Sequence, residues 1–196
     1  MSKVPILLLA AGGSRRMKTS KPLLEWEQVT LLEHQIRTLK QTGCAVHVVL
    51  GAFAKAIQST INAESVTIHY FEDWEQGMGA SIAFGLRKLH SLYPKMEGVL
   101  IALVDQPLLN TADYQKLLDA FRPGQQQIIL SRSEDQISGP PVLFDATYFE
   151  VLSQLTGDEG ARAVIPQHRE HVVYIDQGAR MQDMDTPERY RQLRKP

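Results

Sequence analysis

The run Ile6-Leu7-Leu8-Leu9-Ala10-Ala11-Gly12-Gly13 constrains this chain more than any other stretch. A strand with one wet face alternates apolar and polar residues, and this run does not alternate. A strand that is apolar on both faces belongs in the middle of a parallel sheet, covered above and below. The run then breaks into two glycines, and Arg15, Arg16, Lys18 and Lys21 follow within a few residues. Glycines at a strand end let backbone N–H groups approach a ligand closely, and the cations make that ligand an anion.

The remaining chain supplies a frame for such a strand. The spacing of Leu31, Leu32, Gln35, Ile36 and Leu39 predicts a helix that Gly43 stops. Apolar runs predict strands over Val4–Ala10, Ala45–Leu50, Val66–Phe71, Gly98–Val104, Ile128–Leu130, Val142–Phe144 and Val172–Ile175. Helical patterns fall around Ala54–Ile61, on Ile82, Ala83, Leu86 and Leu89, and over Thr111–Phe121, with Thr111 as its cap. Two more lie around Thr147–Leu155 and Gly160–Gln167, and Ser138-Gly139-Pro140-Pro141 reads as a turn. A terminal helix starts at Pro187, capped by Asp185 or Thr186. Strands alternating with helices imply a three-layer α/β fold with a mainly parallel sheet, expected as one domain over residues 1–196. In such folds ligands bind beyond the carboxyl ends of the strands, where the loops after Leu9, Phe71 and Val104 lie.

Composition narrows the partners. The formal net charge is −1 over 196 residues, so no global field draws in nucleic acid or an anionic membrane. The positive charge near residue 16 is local and suits a small anion. The only cysteine, Cys44, cannot form an internal disulfide and reads as a small buried residue at a strand start. No apolar run approaches the roughly 18 residues of a membrane span. Val4–Ala11 is short for a signal peptide and arginines follow it directly, so a first core strand and a cytoplasmic location are expected.

Three phosphate-loop patterns compete for the stretch after Leu9. The dinucleotide pattern G-x-G-x-x-G is absent. The P-loop pattern nearly fits, with Gly12 and then Met17-Lys18-Thr19, but methionine stands where the second glycine must let backbone wrap a phosphate. The third pattern fits at all but one of its fixed positions. Leu9-Ala10-Ala11-Gly12-Gly13-Ser14-Arg15-Arg16-Met17, with Lys21 beyond, resembles the L-A-A-G-x-S-x-R-M-G-x-x-K signature of nucleotidyltransferases with a Rossmann-like fold. Small residues admit a base and ribose to the strand edge, and Arg16 and Lys21 would neutralise a triphosphate and its pyrophosphate leaving group. The alternative is a basic surface turn.

Two acidic positions suit a hard cation. Asp105 ends the apolar strand Gly98–Val104, so it is either a turn residue before Pro107 or a carboxylate aimed into the ligand cleft. Asp183-Met184-Asp185 places two carboxylates on one face of an extended segment. Asp185 is a helix cap, a metal ligand or both, and is favoured over Asp183 as the second ligand.

Further segments resemble one family, the molybdenum cofactor nucleotidyltransferases. Gln76-Gly77-Met78-Gly79-Ala80-Ser81 is similar to its G-x-G-M-x-x-S loop, Gly139-Pro140-Pro141-Val142-Leu143-Phe144 to its G-x-P-x-x-F turn, and Gly157-Asp158-Glu159-Gly160-Ala161-Arg162 to its G-D-x-G-A-R helix start. Asp183–Glu188 resembles its D-x-D-T-P-E-D segment. Ala11 matches the cytidylyl-transferring members, since the guanylyl-transferring ones carry glycine there. Lys18 and Pro140 depart from the family pattern.

The resemblance implies a GT-A-like nucleotidyltransferase fold and a Mg²⁺-dependent enzyme moving CMP from CTP to the phosphate of a molybdopterin-type cofactor. It assigns Arg16, Lys21 and Asp105 to catalysis and Asp105 and Asp185 to the metal. Leu9, Ala10, Ala11, Gly12, Gly13, Ser14, Arg15, Gly77, Met78, Gly79 and Ser81 go to the nucleotide, and Gly139, Pro141 and Arg162 to the acceptor. A molybdenum-dependent client enzyme is the implied recipient. Transfer to a sugar phosphate or another small phosphorylated acceptor is the alternative within the class. A non-catalytic cofactor-binding maturation partner is the alternative outside it, and a plain α/β interaction module is the remaining possibility.

Overall fold

The computed structural model describes residues 3–13, 17, 19–60 and 66–194. In chain order the elements are β1 (Ile6–Ala10), a short hairpin of β2 (Glu25–Trp26) and β3 (Val29–Thr30), α1 (Leu31–Lys40), β4 (Val46–Leu50), α2 (Ala54–Gln58), β5 (Thr67–Tyr70), α3 (Met78–Leu92), β6 (Gly98–Leu103), α4 (Thr111–Ala120), β7 (Ile128–Ser133), β8 (Ser138–Asp145), α5 (Phe149–Ser153), β9 (Val172–Gly178) and α6 (Pro187–Leu193). Seven strands form one sheet in the order β5-β4-β1-β6-β8-β7-β9. Only β8 runs antiparallel to its neighbours.

The unbroken apolar run does what its composition demands. Every residue of β1 is buried, between β4 on one side and β6 on the other. Alternation along the strand divides the core. Leu8 packs with Leu32, Ile36, Leu39, Tyr114 and Leu117 under α1 and α4. Leu7 and Leu9 pack with Ile82, Leu86, Leu89 and Leu152 under α3 and α5. Each fully buried leucine contributes roughly 1.5–3 kcal/mol relative to exposure, so these two facing clusters hold the three layers together. No helix among the described residues is long and apolar enough to cross a membrane.

Several local readings change. Ser138–Pro141 is not a turn but the first half of β8, and the Pro140–Pro141 peptide is cis. Prolines lack the N–H a ladder needs. The sheet absorbs them in a register shift, pairing Ser131 with Gly139 and Leu130 with Val142. The hairpin turn falls earlier, where Ser133 N–H donates to the Ile137 carbonyl and Gln136 takes a positive φ of 62°. The cap of α4 is Asn110, not Thr111; its side chain accepts from the N–H groups of Ala112 and Asp113, and the Asp113 carboxylate accepts from Asn110 N–H in return. Thr186 caps α6, accepting from Arg189 N–H. Gly160–Gln167 forms a 3₁₀ helix, and Thr147–Leu155 splits into a 3₁₀ turn (Ala146–Tyr148) and α5. The helix read over Ala54–Ile61 ends at Gln58 in α2, and Ile61 lies outside the described residues. Cys44 is half-buried just before β4, against the α1-side core.

Candidate active site

At the carboxyl edge of β1 and β6 the structure opens into a cavity of about 470 Å³. Five stretches bring its principal walls together. The end of β1 and its loop bring Leu9, Ala10, Ala11, Gly12 and Gly13, and the start of α3 brings Gly77, Met78 and Ser81. Lys21 enters from a 3₁₀ turn (Lys21–Leu23) whose second residue, Pro22, stiffens it. Asp105 follows β6, and Asp185 arrives from the segment before α6. Residues far apart in the chain, singled out by their local sequence, thus meet at one place.

The polar centre is a lysine held between two aspartates. Lys21 Nζ donates to Asp105 Oδ2 at 2.9 Å and to Asp185 Oδ1 at 2.6 Å. Burial alone would lower the lysine's pKa, but the charge of Asp105 and the hydrogen bonds to Asp185 and Asp105 outweigh it and hold the ammonium above its usual range. Asp105 Oδ1 is buried with no hydrogen-bond partner. Asp183 turns aside, accepting from Gln106 Nε2 at 3.0 Å. Burial, then the nearby charge of Asp105, push the Asp183 carboxyl above the ordinary range against the opposing Gln106 hydrogen bond.

Buried polar scaffolding aligns the two acidic segments. Gln106 is almost wholly buried and its side-chain amide also donates to the Pro140 carbonyl, while its backbone carbonyl accepts from Gln35 Nε2 at 2.7 Å. Arg180 forms a bidentate pair with the fully buried Asp113 of α4, at 2.7 and 2.6 Å, and so anchors the chain just before Asp183.

The two glycines at the start of α3 serve a neighbour within the protein. A Cβ on Gly77, whose φ is +99°, would sit 2.4 Å from the Gly157 carbonyl oxygen, and one on Gly79 would sit 2.5 Å from that of Thr156. Gly79 N–H donates to the Gly157 carbonyl at 2.8 Å. Gly79 itself is buried there and does not line the cavity. The contact seats the Thr156–Asp158 loop against α3, and Asp158 joins the cavity wall. Ser81 lines the cavity while its hydroxyl donates to the Gly77 carbonyl at 3.2 Å.

The three acceptor residues fall elsewhere. Gly139 and Arg162 are neighbours, since a Cβ on Gly139 would lie 4.0 Å from the Arg162 guanidinium. Pro141 is buried within β8, its carbonyl accepting from Ser131 Oγ. None of the three lines the cavity. Ser14, Arg15, Arg16 and Lys18 lie outside the described residues. Sequence reasoning missed Trp74, Glu75 and Asp158 in the wall. Trp74 had a signal, an aromatic in an otherwise polar loop after a strand; its indole packs on Gly13 and its Cβ on Gly51.

A carboxylate pair with a buried spare oxygen suits a hard divalent cation, which takes oxygen ligands and completes its shell with phosphate and water. Among the described residues no group of three or more acidic, histidine or cysteine side chains is assembled for a metal, so the protein would contribute the two aspartates. With such a cation bound, the pair would face a polyphosphate.

Comparison with known proteins places the chain in a family. The chain is 35% identical to nicotine blue oxidoreductase of Paenarthrobacter nicotinovorans over 95% of its own length and 94% of that protein's. It is 23% identical to the molybdenum cofactor cytidylyltransferase of Escherichia coli, over 96% of this chain and 94% of the relative. Rv0371c of Mycobacterium tuberculosis, solved in complex with manganese, superposes with a TM-score of 0.81 at 27% identity, covering 97% of each chain. Residues 6–172 match the family model of the MobA-like NTP transferase domain, and the chain belongs to that family as a nucleotidyltransferase.

Proposed function

We propose that this protein transfers CMP from CTP to the phosphate of a molybdopterin-type cofactor and releases pyrophosphate, with Mg²⁺ as its cation. The observation that carries the reading is Lys21 bridging Asp105 and Asp185 at a cavity walled by the loop after β1. An acceptor phosphate oxygen attacks the α-phosphorus in line. The bond from that phosphorus to the α–β bridging oxygen breaks, and pyrophosphate leaves with the electron pair. A phosphate monoester is already ionised near neutrality, so no general base is required. Catalysis is then positioning and charge neutralisation.

Asp105 and Asp185 are the residues to hold Mg²⁺, which when bound supplies positive charge to the triphosphate. Their hard oxygen donors and the spare buried Oδ1 of Asp105 fit that ion. The manganese bound by the Mycobacterium tuberculosis relative supports a divalent site in this fold. Lys21 and Arg16 offset charge on the phosphates and leaving group. The N–H groups around Gly12 orient the phosphates, and Ala11 in the cavity wall, which matches the cytidylyl-transferring members by resemblance, supports CTP. Arg162, exposed beside Gly139, is the cation that would meet an anionic acceptor. The product would pass to a molybdenum-dependent client enzyme.

A second reading comes from the relative named as an oxidoreductase. Redox chemistry on a small organic substrate differs from phosphoryl substitution, and the chain lacks the dinucleotide pattern G-x-G-x-x-G after β1. Such chemistry leaves the carboxylate–lysine–carboxylate arrangement without a task, which favours transfer.

A screen of the four NTPs for pyrophosphate release, with and without molybdopterin, tests the reading. CTP turnover that depends on the cofactor supports it. Turnover with a sugar phosphate in its place moves the reading to the other acceptor class. Binding of both ligands without release favours an escort role, and NADH or NADPH oxidation with no release of pyrophosphate favours the reductase.

A further inference from the structure

We propose that Lys21 is a stand-in cation. In the nucleotide-free protein its ammonium holds Asp105 and Asp185 where a divalent ion would, and it surrenders them to the metal far more readily once a nucleotide arrives to receive the ammonium on its phosphates. The inference rests on the reading of Asp105 and Asp185 as the metal-holding pair.

The geometry is specific. One nitrogen lies within 2.9 Å of one carboxylate and 2.6 Å of the other, so it occupies the space between them. The Lys21 side chain is only 13% exposed, and Asp105 is 17% exposed. A hard cation bonded to those same two oxygens cannot share that space with the ammonium. The match is also incomplete in a telling way. The lysine takes one oxygen of Asp105 and leaves Oδ1 buried with no hydrogen-bond partner. An ion with more coordination positions would use the oxygen that the lysine does not.

Charge and tethering decide the order of events. Metal entering alone must break two ion pairs and displace a buried ammonium from its carboxylates. Metal entering with a triphosphate breaks the same pairs, but the ammonium then meets phosphate. Lys21 and the glycines of the β1 loop share one cavity, so the move asks only for its side chain. Its backbone is held in the 3₁₀ turn by Leu24 N–H on the Lys21 carbonyl at 3.0 Å, and Gly12 and Gly13 line the same cavity. Metal affinity is therefore coupled to nucleotide through Lys21, and by linkage the coupling is reciprocal. The bridge also keeps Asp185 beside Asp105 while the site is empty of nucleotide, so the site is aligned before the metal enters.

The test is a Mn²⁺ titration of the full chain followed by the free-ion paramagnetic resonance signal, with and without CTP, on wild type and Lys21→Met. Without nucleotide, Lys21→Met binds Mn²⁺ about tenfold more tightly than wild type, and CTP tightens Mn²⁺ on wild type much more than on the variant. Unchanged or weaker Mn²⁺ binding by Lys21→Met without nucleotide, with wild type binding Mn²⁺ normally beside CTP, overturns the stand-in role and leaves the metal assignment in place. If wild type binds no Mn²⁺ even with CTP, the metal assignment falls and this inference with it. Should Lys21→Met fail to fold, lysine acetylation of wild type read by mass spectrometry serves instead. Saturating Mn²⁺ alone raises the labelling of Lys21, and an unchanged rate with Mn²⁺ bound contradicts the exchange.

Discussion

The amide of Met184 donates to the carbonyl of Asp105 at 2.8 Å, stitching the segment before α6 to the end of β6. The Met184 side chain is fully buried in the α1-side core. Its two neighbours point their carboxylates back at the β6 end, Asp183 to Gln106 and Asp185 to Lys21. A core residue thus sets the position of a site residue beside it. Met184→Ala is expected to cost about 2–5 kcal/mol, and the volume-conserving Met184→Leu less than about 1.5 kcal/mol. Urea denaturation of both variants checks this, and equal midpoints would contradict the packing account.

The contact between α3 and the Thr156–Asp158 loop makes a second prediction. Gly77→Ala meets both a positive φ and the Gly157 carbonyl, so the loop must move. Gly157→Ala at φ +69° has open space around its Cβ and carries only the conformational cost, about 1–2 kcal/mol. Gly77→Ala should lose more stability than Gly157→Ala and should speed amide hydrogen exchange over residues 156–160. Matching losses in the two variants would remove the clamp from the explanation.

Much of this was legible from residue order, for identifiable reasons. The unbroken apolar runs of β1 and β6 could only be covered strands, and a carboxylate directly after β6 could only lie at the carboxyl edge. Asp185 before Thr186-Pro187 was readable as a helix entry, and its meeting with Asp105 followed once both were at that edge. Other features depend on tertiary context. Pro140-Pro141 reads locally as a turn, and only the pairing with β7 reveals the strand. The β2–β3 hairpin turns at Glu27 and Gln28 with φ of 46° and 68°, and neither residue advertises a left-handed turn. The glycines at 77 and 79 are assigned to the nucleotide by resemblance; Cβ atoms there would meet the backbone of Gly157 and Thr156, a contact that residue order does not show, while Gly77 also lines the cavity. Asp158 was hidden because a helix-start motif does not say which cavity it faces.

A buried histidine pair predicts acid sensitivity away from the site. His47 lies in β4, its Nδ1 3.0 Å from His69 Nε2 and its Nε2 3.1 Å from the Tyr93 hydroxyl. Burial, then the charge of His69, push the His47 imidazole down to about 4. The folded state therefore binds this proton less readily than the unfolded chain, whose histidines titrate near 6.5. The stability it protects is complete above about pH 6.5 and falls as the pH drops towards 4, by an amount on the order of 3 kcal/mol. Urea denaturation at pH 7 and pH 4.5 should show the loss, and His47→Gln should flatten it. An equally steep loss in His47→Gln would place the titrating group elsewhere.

The most direct test of the transfer site is Asp105→Asn, which keeps the shape of the side chain and removes its charge. Pyrophosphate release from CTP in the presence of Mg²⁺ and molybdopterin should fall by about a hundredfold or more, with the circular dichroism spectrum and thermal midpoint close to wild type. Turnover at the wild-type rate in a folded Asp105→Asn protein would contradict the assignment of this carboxylate, and with it the site built around Lys21.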